Sequence, residues 1–304
     1  MTLTVAITGV TGFIGRHILD NLLARGFNVR GLTRSARADT VRNLTWVQGS
    51  LESPAALSDL VQGADVVIHC AGQVRGHREE IFTDCNVAGS VRLMQAACEG
   101  GSCRRFLFMS SLAARHPELS WYAHSKYVAE QQLMAMSSDI VLGIFRPTAV
   151  YGPGDKELKP VFDWLLRGVL PRVGTPDARL SFLHVNDLAD AVCQWLTVRD
   201  PVSRSYEVCD GLQDGYSWDR LREIGSRVRR GPVRLIGIPL PLLKLLSQLS
   251  GLSYRVTGTE PMLTRSKLGE LTHPDWSASN QSLSECIGWT PKVSLEHALR
   301  ARLF

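Results

Sequence analysis

The stretch Leu3–Gly15, LTVAITGVTGFIG, decides how the chain is read. Leu3–Thr8 is apolar apart from two threonines and suits a strand of a sheet covered on both faces. Phe13–Arg25 then carries Ile14, Ile18 and Leu22, with Leu19 and Leu23, at helical spacing. Between them runs Thr8-Gly9-Val10-Thr11-Gly12-Phe13-Ile14-Gly15. A G-x-x-G-x-x-G loop alone is weak, but a loop that joins a first strand directly to a first helix predicts a dinucleotide site. Glycine allows the tight turn, the approach of backbone to a pyrophosphate and close helix–strand packing. The helix start offers unpaired N–H groups and the positive end of a dipole to that anion. Gly9, Thr11, Gly12, Phe13, Ile14 and Gly15 are the expected contacts.

Outward from the loop, strand and helix patterns alternate. Strands are expected over Phe27–Thr33, Thr45–Gln48, Asp65–Cys70, Arg105–Ser110 and Ile140–Arg146, with helices over Pro54–Val61, Asn86–Glu99 and Trp121–Met136. Strands apolar almost throughout, separated by helices, imply an α/β fold with a doubly wound parallel sheet of the Rossmann kind. The expected division is a dinucleotide-binding domain over 1–155 and a smaller α+β substrate-binding region over 156–304. A segment near 180–200 is expected to return to the first domain. Eleven of the 14 prolines fall after residue 150, so the second half should be less regular. Its apolar Pro239–Leu249 reads as a core or lid helix, because the basic face of a membrane-surface anchor is missing from its own sequence.

Composition narrows the function classes. The 304 residues are 44% hydrophobic and 21% charged, with 34 basic against 29 acidic residues and a net charge of +5. That excludes a disordered, collagenous or coiled-coil chain. No dense Lys/Arg stripe marks a nucleic-acid partner. The longest uncharged stretch, Met1–Gly15, is too short for an integral membrane helix and has no basic residues ahead of it as a signal peptide would. Seven scattered cysteines with no C-x-x-C suggest reduced thiols and a cytoplasmic location.

Cofactor choice turns on the end of the second strand, where an acid suits a ribose hydroxyl and an arginine a ribose phosphate. Thr33 is followed by Arg34, with Arg37 close behind and no acid before Asp39. Arg34 can fork onto a phosphate, so NADP is the preferred cofactor. An arginine stacked on adenine would leave NAD as the alternative.

A second constellation carries the chemistry. Ser110-Ser111 close the RFLFMS strand, and Tyr122 and Lys126 lie four apart on one face of the next helix. Hydride exchange between a nicotinamide and a carbonyl carbon needs a proton at the carbonyl oxygen. Tyrosine is a poor acid or base near neutrality, with an ordinary pKa of about 10. An ammonium ~4 Å away would lower it by roughly three units, toward the range where acid–base catalysis works best. Ser111 would hydrogen-bond the same oxygen, and Lys126 could hold the nicotinamide ribose. His124, off that face, reads as solvent-facing or packing.

With these residues in view, the sequence resembles the extended short-chain dehydrogenase/reductase superfamily, also called the NAD-dependent epimerase/dehydratase family, which includes sterol-dehydrogenase-like members. The likeness spans TGVTGFIG, Asp65–Gly72 (DVVIHCAG), Asn86–Ser90 (NVAGS), Ser110-Ser111, Tyr122/Lys126, Arg146–Gly154 (RPTAVYGPG), Phe182–Asp187 (FLHVND) and Gly288–Pro291 (GWTP). The resemblance implies that Cys70, Ala71 and Gly72 pass close to the cofactor and that Pro147 and Val150 border the nicotinamide. It also implies a small-molecule substrate held by the C-terminal half, a homodimer as the usual assembly, and structural rather than metal-binding roles for His184 and Asp187. Three departures concern substrate more than fold. Gly49-Ser50-Leu51 stands where the family often has Gly-Asp-Leu against adenine, leaving Ser50 and Leu51 as the contacts there. Ser111 is followed by Leu112-Ala113-Ala114 rather than the Asp-Glu pair of sugar dehydratases. The loop from Ser111 to Tyr122 is shorter than nucleotide-sugar enzymes usually carry. The expected activity is therefore NAD(P)-dependent interconversion of a secondary alcohol and a ketone. A nucleotide-sugar epimerase with tightly bound NAD is the first alternative, and a non-catalytic NAD(P)-binding protein the second.

Overall fold

The computed structural model describes residues 3–37, 40–137, 139–245, 247–248 and 264–304. The first half alternates β1 (Thr4–Thr8), α1 (Phe13–Ala24), β2 (Asn28–Thr33), β3 (Leu44–Gln48), α2 (Pro54–Val61), β4 (Val66–His69), α3 (Glu79–Phe82), α4 (Gly89–Glu99), β5 (Arg105–Met109), α5 (Trp121–Met136) and β6 (Val141–Pro147). After it come β7 (Ala149–Tyr151), α6 (Lys159–Arg167), β8 (Val169–Arg172), β9 (Phe182–His184), α7 (Val185–Thr197), β10 (Arg204–Val208), α8 (Trp218–Arg229), β11 (Arg234–Gly237), α9 (Arg265–Thr272), α10 (Gln281–Ile287) and α11 (Leu295–Ala301).

Seven strands form one parallel sheet in the order β10-β6-β5-β4-β1-β2-β3. The order reverses beside β1, which is where a doubly wound sheet opens a crevice at its carboxyl edge. Side chains alternate across the sheet. Val5, Ile7, Val66 and Ile68 face one layer with Ile18 and Leu22 of α1 and Leu188 and Trp195 of α7. Ala6, Val67, Phe106 and Phe108 face the other with Leu57 of α2, Leu93 of α4 and Leu133 of α5. Both faces are buried, which is why the strands read as apolar runs rather than alternating ones.

The second half threads back through the first. α7 packs on α1, and β10 extends the main sheet beside β6. A third cluster holds Tyr151, Phe162, Phe182, Trp218 and Leu295. His184 caps α7 by accepting from the Asn186 N–H, and Asp187 accepts from the Lys292 and Val293 N–H groups at 3.0 and 2.8 Å. Both therefore tie the fold together.

Two expectations shift. The helix read as beginning at Asn86 starts at Gly89, and Thr83–Ala88 ahead of it form a π-helical turn. The apolar Pro239–Leu249 is helical over its described residues 240–245 and 247–248, while Leu246 and Leu249 lie outside the described residues. Among its described residues only Leu243 and Ser247 are buried, while Leu240, Leu242 and Leu245 are exposed.

Candidate functional site

The carboxyl ends of β1, β4 and β5 converge on the crevice. Gly9 turns the chain with φ +70°, and a Cβ there would stand 2.5 Å from the Ala71 nitrogen after β4. A Cβ at Gly15 would stand 2.1 Å from the Gly9 carbonyl oxygen, so α1 can only lie this close to the loop with glycine there. The Gly12 N–H donates to the Gly9 carbonyl at 2.9 Å and closes the turn. Gly12 is the N-cap of α1 and has no capping side chain, and the first turn holds no acid. Thr11 and Gly12 are exposed, Phe13 and Ile14 half-buried. An open, uncapped helix start on a glycine turn fits a pyrophosphate, so the loop passes the test for a dinucleotide on its own geometry.

Behind the loop is a buried polar chain. His69 Nδ1 lies 2.6 Å from Thr8 Oγ1, and His69 Nε2 2.8 Å from Ser90 Oγ. Ser90 donates in turn to the Asn86 carbonyl. Burial, with the Lys126 charge adding to it, pushes His69 down to about 3, so it works as a neutral bridge. Thr8 also accepts from the Ala71 N–H, and Asn86 accepts from the Gln73 N–H at 2.7 Å. Cys70, Ala71 and Gly72 are thereby pinned, and a Cβ on Gly72 would stand 3.2 Å from Lys126 Nζ. Burial pushes the Cys70 thiol up to about 12.

Around the rim, Arg34 follows β2 and is exposed. Arg37 lies over the Trp46 ring at 5.4 Å, and Asp39 falls outside the described residues. Ser50 accepts from the Glu52 N–H, and Leu51 sits against the start of α4 at Gly89. Pro147 is buried and Val150 half-buried on the segment from β6 to β7. That segment reaches α1, where His17 contacts the Pro153 carbonyl at 2.9 Å.

The two serines after β5 have different tasks. Ser110 donates to Glu130, a fully buried carboxylate that also receives Arg146 at 2.9 Å. Ser111 caps a short 3₁₀ turn by accepting from the Ala113 N–H, and its hydroxyl is close enough to Tyr122 to lower the phenol's pKa. Ser120 caps α5 and donates to Glu270 on α9. Lys126 is 4% exposed, donates to the Met109 carbonyl at 2.8 Å and lies 4.8 Å over the Phe108 ring. Ser111, Tyr122 and Lys126 thus share the crevice edge next to Gly72.

Electrostatics here differ from the sequence expectation. Burial pushes the Tyr122 phenol up to about 12, Ser111 pulls it down by hydrogen bonding, and Glu270 pushes it up again. Burial holds Lys126 down at about 8. Desolvation dominates at the phenol, and the Lys126 ammonium is engaged by the Met109 carbonyl. Tyr122 is therefore a protonated phenol near neutrality.

Over Tyr122 lies a cleft lined by Val74, Arg75, Phe82, Thr264, Ser266 and Lys267 among others. Lys267 Nζ sits 5.1 Å over the Tyr122 ring and pairs with Glu270. These α9 residues are missed from sequence, since nothing local links them to a tyrosine over 140 positions earlier. Asn86 opens the NVAGS stretch, and its role in pinning the loop after β4 emerges only in the fold. His124 is exposed, 3.8 Å from Glu79. Among the described residues no group of three or more His, Cys, Asp or Glu is gathered as a metal site, and no helix is long and apolar enough to cross a membrane.

The model of the NAD dependent epimerase/dehydratase family matches residues 5–209. The chain belongs to that family. It is an enzyme of the extended short-chain dehydrogenase/reductase group, working with a nicotinamide cofactor. A ceramide reductase of Caulobacter vibrioides is 35% identical over 289 residues, 93% of this chain and 88% of that protein. A UDP-glucose 4-epimerase of Vibrio cholerae is 26% identical over 99% of this chain and 94% of that one. Among solved structures, MoeE5 in complex with UDP-glucose and NAD superposes with a TM-score of 0.75 over 99% of this chain and 97% of that chain, at 21% identity, and supports the fold alone.

Proposed function

We propose that this enzyme is an NADP-preferring reductase that interconverts a ketone and a secondary alcohol on a long-chain, ceramide-like lipid. The observation that carries it is the approach of Ser111, at the carboxyl edge of β5, to Tyr122, with Lys126 on the same face of α5 and close to Gly72 after β4. The Caulobacter ceramide reductase, similar over nearly the full chain, supports the lipid class. The absence of an Asp-Glu pair after Ser111 argues against sugar dehydration.

A nicotinamide held at the glycine loop would supply the hydride. Tyr122, kept protonated by burial, gives its proton to the carbonyl oxygen as charge builds there. Ser111 donates a hydrogen bond to the same oxygen. Lys126, at about 8 and beside Gly72, is placed to hold the ribose. A phenol that stays protonated is in the state ketone reduction requires, where the proton is delivered rather than removed. Arg34, exposed after β2, is the group for a ribose phosphate.

The test is net turnover. Purified enzyme with NADPH and a detergent-solubilised ketone of ceramide type should lose nicotinamide absorbance as the lipid alcohol accumulates. Protein that releases bound NAD on denaturation, and turns over no nicotinamide with any lipid ketone, would be an epimerase instead.

A further inference from the structure

The face built by β8, β11 and the residues after them differs from the rest of the surface. β11 pairs with β8 in parallel, Gly237 opposite Arg172, and the Ile238 N–H donates to the Arg172 carbonyl at 2.9 Å. The short helix that follows rests on Leu243 and Ser247, one turn apart. Ile236, Leu240, Leu242 and Leu245 are 50, 44, 46 and 51% exposed. At 100° per residue, Pro241, Leu242 and Leu245 form the outermost face, opposite Leu243 and Ser247. This amphipathicity is inverted for a helix bathed in water, where the outer face should be polar.

Basic residues dominate the chain segments that build this face. Between Glu223 and Gln248 the chain has no acid and five basic residues, Arg227, Arg229, Arg230, Arg234 and Lys244. Between Asp163 and Asp177, Arg167 and Arg172 are the only charged residues. The strand pairing brings these two acid-free segments together, and the Arg172 guanidinium lies beside Gly237. Arg227 pairs with Glu296, whereas Arg172, Arg230, Arg234 and Lys244 have no acidic partner among the described residues. The helix lacks a basic face in its own sequence; the neighbouring strands supply the cations.

We propose that this face docks the enzyme on a bilayer surface that contains anionic lipid. The leucines enter the headgroup boundary and the arginines and lysine meet phosphates. A second copy is a poor occupant, because a two-fold contact would set the basic rim against itself. An acidic protein segment would satisfy the cations and leave the leucines uncovered. The inference rests on the lipid-substrate reading only for its purpose, which is to hold the enzyme where long-chain ketones reside.

Flotation of the intact protein with vesicles tests it without substrate or turnover, so it can fail while the reductase reading stands. Vesicles of phosphatidylcholine mixed with phosphatidylglycerol should carry the protein at low salt, and less of it as salt is raised. A Leu242→Ser/Leu245→Ser double variant that melts like the parent should partition about tenfold more weakly. Arg234→Gln and Lys244→Gln should each cost about fivefold. The proposal is overturned by no flotation with the mixed vesicles, by equal flotation with phosphatidylcholine alone, by variants that bind like the parent, or by a concentration-dependent dimer that the leucine variant abolishes.

Discussion

Tyr122 shows how burial sets a residue's protonation. The phenol sits at about 12 with Lys126 on the same helix face, because desolvation wins. Tyr122→Phe should lower turnover by roughly 10²–10⁴-fold with cofactor affinity retained, read by steady-state kinetics and nucleotide titration; an unchanged rate would remove the phenol from the chemistry. Arg34→Ala should weaken NADPH by about 1–3 kcal/mol and spare NADH, whereas equal loss of both would mean that the arginine only stacks. His69 gives a pH signature. Its folded value lies near 3 against an ordinary 6.5, so the neutral form is the one the fold holds. Its contribution is complete above pH 6.5 and is lost as pH falls toward 3, by up to about 1.4 kcal/mol per unit. Urea melts should show that slope in the parent and a shallower one in His69→Asn.

At the scale of elements, strand runs and helix periodicity placed the first-half elements closely, and α2 and α5 match their predicted bounds. Local spacing suffices where an element's own residues decide its face. It failed at Thr83–Ala88, where a π-helical turn presents Asn86 to Gln73 and Ser125. At Pro239–Leu249, read as a core or lid helix, Leu240, Leu242 and Leu245 face outward although their sequence resembles core. The glycine loop and α1 act as one unit. Gly15→Ala must push a methyl into the Gly9 carbonyl, so it should cost about 1–3 kcal/mol and abolish nucleotide binding. Thermal melting and nucleotide titration check both, and a variant that still binds would disprove this packing.

Across the whole molecule, distant segments complete what the first domain begins. β10 widens the main sheet, α7 backs α1, and α9 sets Lys267 and Glu270 against Tyr122. Asp187 ties the chain before α11 to α7 through two N–H groups. Asp187→Ala would strand both donors and should cost about 1–3 kcal/mol for each one left buried. Hydrogen exchange should then rise first along Leu295–Ala301. Sequence alone determined the dinucleotide fold and the glycine turn and singled out Ser111, Tyr122 and Lys126 as candidates, because each depends on residue types at short, regular spacing. Tertiary structure alone decided the state of the phenol, the partners of Lys126 and the basic rim around the outward leucines. Burial and long-range charge depend on which distant segments meet, and no local pattern encodes that.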